Sequence, residues 1–97
     1  MLTKTVFVSC INNLAGRGTQ SGPSVNLSWS AQPNVTGYSV LRGTTNGGPY
    51  SQVGTSNLTS YRDTGGLVSG NTYYYVVHPL QGSAEVCESN QTSVPVP

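Results

Sequence analysis

Along most of this chain, apolar residues fall at every second position, in short runs broken by Gly, Pro, Asn and Ser. No stretch keeps the 3.6-residue apolar period of an amphipathic helix. A period of two places successive side chains on opposite faces, so the pattern predicts antiparallel strands with one buried and one wet face. The clearest run is Val25 to Ser30, where Val25, Leu27 and Trp29 point one way and Asn26, Ser28 and Ser30 the other. Tyr38 to Arg42 repeats the pattern, with Tyr38 and Val40 inward. Thr72 to His78 is the richest strand, with Tyr73, Tyr75 and Val77 opposing Tyr74, Val76 and His78.

Weaker runs are expected at Tyr50–Val53, at Ser60–Thr64 and from about Ala84 to Val94. Turn residues separate them, at Gln32-Pro33-Asn34, Gly43 to Pro49, Gly65-Gly66 and Gln81-Gly82-Ser83. At the start, Val6, Val8 and Cys10 alternate, which predicts a first strand over Thr5–Ile11. Asn12 to Ser24, with three glycines and a proline, reads as a long loop. The expected organisation is therefore residues 1–22 as a first strand and Gly-containing loop, a candidate assembly arm. Residues 23–97 form the remainder of a single sandwich, with Pro95-Val96-Pro97 as an extended stub. Seven short strands with polar turns give an all-β, seven-stranded antiparallel Greek-key β-sandwich.

Composition narrows the function more than the fold. Only 7% of the 97 residues are charged, against a usual quarter. A disordered chain commonly resists collapse through charge, and this one has too little. Lys4, Arg17, Arg42 and Arg62 face Asp63, Glu85 and Glu88, a net +1 scattered along the sequence. That leaves no footprint for nucleic acid or an anionic membrane. Weak net repulsion also favours self-association. No apolar run approaches the ~20 residues of a membrane-spanning helix, so no membrane insertion is expected. The opening Met1-to-Cys10 stretch has no sustained apolar run and is not expected to serve as a secretion signal.

Chemistry-bearing residues are sparse. His78 is the single histidine and has no neighbouring Asp, Cys or second His in the sequence, which predicts an ordinary strand residue on the wet face. With three carboxylates in all, neither a glycosidase pair nor a calcium loop is expected, and no catalytic, metal or cofactor residue is assigned. Gly16-Arg17-Gly18 and the Gly43–Gly48 stretch lack the lysine of a phosphate loop and read as turns. Cys10 and Cys87 allow one intramolecular bridge or two buried thiols. Tyr74, Val76 and the neighbouring Leu41 form a candidate exposed apolar stripe, with Tyr50 a further candidate contact residue. Asn26, Asn34, Asn57 and Asn90 each open an Asn-x-Ser/Thr triplet and are candidate N-glycosylation sites.

From Pro23 to Val94 the chain resembles a fibronectin type III domain, of the kind found in secreted and cell-surface bacterial proteins. Val25-Asn26-Leu27-Ser28-Trp29 resembles the family's second strand and Val35 to Arg42 its third. Gly47-Gly48-Pro49-Tyr50 resembles the loop and edge strand of the bacterial versions. Tyr61-Arg62-Asp63-Thr64 followed by Leu67-x-x-Gly70-x-x-Tyr73 resembles the approach to the sixth strand. The resemblance implies a core of Val25, Leu27, Trp29, Tyr38, Val40, Leu67, Tyr73, Tyr75 and Val77. It makes Tyr73 a corner tyrosine whose hydroxyl returns to backbone near the preceding turn. It also brings Cys10 near Cys87, consistent with a bridge. The implied role is a non-catalytic extracellular or cell-surface module, structural or adhesive, that contacts other protein modules or copies of itself. A carbohydrate- or protein-binding accessory module is the alternative, with Tyr50 and Tyr74 as the aromatic candidates. No Arg-Gly-Asp triplet is present, so the family's integrin signal does not carry over.

Overall fold

Burying Val25, Leu27 and Trp29 from one strand requires a second apolar layer opposite, and the fold supplies it as a second sheet. The computed structural model describes residues 10–19 and 22–97. The elements are β1 (Ala15–Thr19), β2 (Ser24–Ser28), β3 (Gly37–Gly43), β4 (Ser51–Ser56), β5 (Ser60–Asp63), β6 (Thr72–Gln81), β7 (Ala84–Glu85) and β8 (Thr92–Pro95). One sheet has the order β1-β2-β5. The other runs β4-β3-β6, and both β7 and β8 pair with β6. All pairings are antiparallel. Among the described residues no helix is long and apolar enough to cross a membrane.

The core lies between the sheets. Val25, Leu27 and Trp29 from the smaller sheet meet Tyr38, Val40, Tyr73, Tyr75 and Val77 from the larger one, and Leu67 packs partly buried against them. Trp29 and Tyr38 stack edge to face, with centroids 5.4 Å apart. Val68 N–H donates to the Tyr73 hydroxyl (2.9 Å), which ties the β5–β6 corner to the start of β6.

The beginning of the chain differs from the expectation. Of the expected strand Thr5–Ile11, residues 5–9 lie outside the described residues, and Cys10 and Ile11 are irregular. The first described strand is Ala15–Thr19, inside the stretch read as a loop, and it forms a hairpin with β2. Its glycines are strand residues for a steric reason. A Cβ on Gly16 would sit 2.6 Å from Val94 Cγ2, and one on Gly18 would sit 2.4 Å from the Pro95 carbonyl oxygen. The strand packs by backbone proximity to β8, so it carries no apolar alternation to read.

The chain's end differs too. The single last strand expected over Ala84–Val94 is split, because residues 86–91 leave the ladder between β7 and β8. The Pro95-Val96-Pro97 stub is docked: Val96 is 2% exposed within the core cluster. Its carbonyl accepts from Gly70 N–H (2.8 Å) and its N–H donates to the Asn71 carbonyl (2.9 Å).

Candidate functional site

The outer face of the larger sheet carries the residues singled out as a contact surface. Tyr74, Val76 and His78 occupy the outward phase of β6, and Leu41 of β3 lies directly opposite Val76. The stripe they form is only partly open. Val76 is 1% exposed, so its assignment to an exposed surface is corrected, while Leu41 and Tyr74 are half-buried. Outward phase does not equal exposure here. The β3–β4 connection reaches Gln91 on the far side of β6. Gly47 N–H (2.8 Å) and the Tyr50 hydroxyl both donate to Gln91 Oε1, and Gln91 Nε2 donates to Asn46 Oδ1 (2.8 Å). Tyr50 is thereby spent on anchoring the loop. Burial, and secondarily the charge of Glu88, hold its hydroxyl above the ordinary tyrosine range.

His78 stands further along the same face, and it has partners that sequence adjacency did not reveal. Its Nε2 lies 2.8 Å from Glu88 Oε1, and its Nδ1 lies 3.2 Å from Glu85 Oε2. The second contact lacks hydrogen-bond alignment. The two carboxylates bracket the ring from opposite nitrogens, so the three groups do not converge on one point. Among the described residues no group of three or more His, Cys, Asp or Glu is placed to hold a metal ion. The arrangement fastens the irregular 86–91 segment to β6, with Val86 N–H and Ser89 N–H donating to the Pro79 and Val77 carbonyls.

That segment also carries the disulfide. Cys10 is bonded to Cys87, with a Cα separation of 6.0 Å. Beside it, Asn90 Oδ1 accepts from Leu14 N–H (2.9 Å) and Asn90 Nδ2 donates to the Leu14 carbonyl (3.1 Å). Asn90 is a clamp: its Nδ2 hydrogens are directed at the Leu14 and Gln91 carbonyls, and a glycan on Nδ2 would replace one of them. Asn26, Asn34 and Asn57 are exposed.

At the opposite end of the strands, a polar cluster closes the core. Asp63, whose side chain is 4% exposed, accepts on Oδ2 from Arg42 Nη1 (2.8 Å) and from the Tyr75 hydroxyl (2.7 Å). Its Oδ1 accepts from Gly65 N–H (3.1 Å). Arg42 also donates to the Gly65 carbonyl and lies 5.5 Å above the Tyr73 ring. Burial, the hydrogen bond to Asp63 and the carboxylate's charge together push the Tyr75 hydroxyl far above the ordinary tyrosine value. Tyr75 donates to Asp63, and all three side-chain carboxylates of the chain are engaged in scaffold contacts.

Comparison with known proteins places this architecture. The chain is similar to a crystal structure of an Fn3-like protein from Clostridium thermocellum. The two are 34% identical with a TM-score of 0.82, over 93% of this chain and 94% of that one. A 61-residue stretch is 43% identical to part of a poly(3-hydroxybutyrate) depolymerase from Ralstonia pickettii, covering 63% of this chain but 11% of the depolymerase. A β-1,2-glucanase from Parabacteroides distasonis matches with a TM-score of 0.74 over 93% of this chain and 13% of that one. At 20% identity that match shows the fold alone. No family model matches the chain.

Proposed function

The chain belongs to the fibronectin type III-like family, and on that premise we propose that it is a non-catalytic structural or adhesive module of the extracellular space, built to join other modules or copies of itself. One observation carries this reading. Each carboxylate, the histidine and Tyr50 is tied into a scaffold contact: Asp63 with Arg42 and Tyr75, Glu85 and Glu88 with His78, and Tyr50 with Gln91. The disulfide fits an oxidising compartment. The match to 11% of a much longer depolymerase fits a unit appended to a larger secreted protein.

The alternative, an accessory module that binds carbohydrate, rests on the rings of Tyr74 and Tyr50, both half-buried, the Tyr50 hydroxyl being held by Gln91. Both readings are separated by incubating the oxidised chain with insoluble polysaccharides and with poly(3-hydroxybutyrate) granules. No turnover and no retention are expected. Retention lost in Tyr74→Ala would replace the structural reading with the binding one, and turnover of any substrate would end both.

A further inference from the structure

The charges that look scattered in the sequence are sorted by the fold onto opposite faces. Arg42 and Asp63 neutralise each other at the core's edge. Lys4 lies outside the described residues. Arg17 and Arg62 flank Asn26 in one cross-strand row on the outer face of the smaller sheet, because Arg17 pairs with Asn26 and Asn26 with Arg62. Two strand spacings set their Cα atoms roughly 9–10 Å apart. All three residues of the row are exposed. Arg62 is steered by donating from Nη2 to Ser24 Oγ (3.3 Å). Neither arginine has an Asp or Glu partner, because all three such residues of the chain are engaged elsewhere.

The opposite face carries the complementary pair. Glu85 and Glu88 bracket His78 on the outer face of the larger sheet, and their side chains are 54% and 55% exposed. They are held apart by the width of an imidazole and one contact on each side. Each leaves carboxylate surface free for a second partner.

We propose that these two faces bind each other in successive copies of the chain, Arg17 and Arg62 of one molecule docking on Glu85 and Glu88 of the next. The contact is heterologous: each copy offers one basic and one acidic face, so stacking is open-ended and does not stop at a dimer. The proposal rests on the structural-module reading and names its partner as a second copy. Low net charge permits the approach, and the paired charges fix its orientation. Exposed pairs are weak and salt-sensitive, so association belongs at high local concentration, as among tethered modules.

Sedimentation at millimolar concentration and low ionic strength tests this on the full oxidised chain. Wild-type protein is expected to form concentration-dependent oligomers that dissolve in high salt. Arg17→Glu/Arg62→Glu makes both faces acidic and Glu85→Lys/Glu88→Lys makes both basic. Each variant alone should associate at least about tenfold more weakly than wild type. Mixing the two should restore association, because an all-acidic copy then alternates with an all-basic one. Monomeric wild type, unchanged single variants, or a mixture that stays apart would each overturn the proposal. None of these results bears on turnover or granule binding, so this idea fails separately from the module reading.

Discussion

The two ends of the sandwich are closed by different chemistry. At one end a covalent bond, Cys10–Cys87, and the amide clamp Asn90–Leu14 pin irregular chain against the end of β6. At the other, Arg42, Asp63 and Tyr75 seal the core through charge and hydrogen bonds across 21 and 12 residues of sequence. The first closure acts largely on the unfolded chain by shortening it, and it is indifferent to pH until thiol exchange begins. The second acts on the folded state, where its worth depends on every partner remaining in its charge state. One protein thus has a redox-controlled end and a protonation-controlled end, and substitutions should separate them.

The largest effect is expected at the covalent end. The bridge spans 77 residues, and replacing both cysteines by Ser should cost about 4 kcal/mol in the loop-entropy account. Urea denaturation of the oxidised and Cys-free chains measures this difference, which should hold constant across neutral pH. An unchanged midpoint would show that Asn90 and the His78 contacts already confine the 86–91 segment. Next comes Asp63→Ala, which strands the Arg42 guanidinium and the Tyr75 hydroxyl. Breaking a buried pair costs about 3–5 kcal/mol, and the 22% exposure of Arg42 places this one at about 3. Asp63→Asn keeps the side chain's volume and one acceptor oxygen, enough for Gly65 N–H or for the Tyr75 hydroxyl but not for both, so it should lose somewhat less than Asp63→Ala. If Asn and Ala are equally damaging, charge and not hydrogen bonding holds this end. Asn90→Ala removes both bonds to Leu14 and should cost about 1–2 kcal/mol. Amide exchange at Leu14 should rise with it, while exchange around Asp63 stays unchanged.

How much of this was legible in the sequence differs between regions for physical reasons. β2, β3 and β6 were readable because side chains from alternate positions fill the core, and apolar side chains are what a period of two records. The β1 strand was not, since Gly16 and Gly18 serve it by lacking side chains against Val94 and Pro95. The burial of Val76 leaves no mark in its strand phase, and the tie of the β3–β4 loop to Gln91, more than 40 residues away, is equally silent in the sequence. The His78 bracket was missed for a related cause. Glu85 and Glu88 reach the ring only because the chain leaves the ladder between β7 and β8, and the departure has no periodic signature. The opposed charge faces were hidden likewise: Arg17 and Arg62 become neighbours only through strand register.

The smallest effect is the one that most sharply marks the second end as protonation-controlled. Tyr75→Phe deletes one bond to Asp63 and should cost about 1 kcal/mol at neutral pH. Its distinguishing consequence appears in alkali. The folded state holds the Tyr75 proton above the ordinary value of 10.0, whereas the unfolded chain releases it there. Above that pH the unfolded state binds fewer protons than the folded one, so stability falls as pH rises, and the contribution is complete below it. Tyr50, raised in the same direction, adds its own smaller slope in both proteins. Denaturation midpoints of wild type and Tyr75→Phe should therefore converge as pH climbs past 10.0, under non-reducing conditions that leave the disulfide intact. Parallel midpoints would mean that Tyr75 keeps an ordinary affinity for its proton. In that case Arg42 and Asp63 hold the end without it.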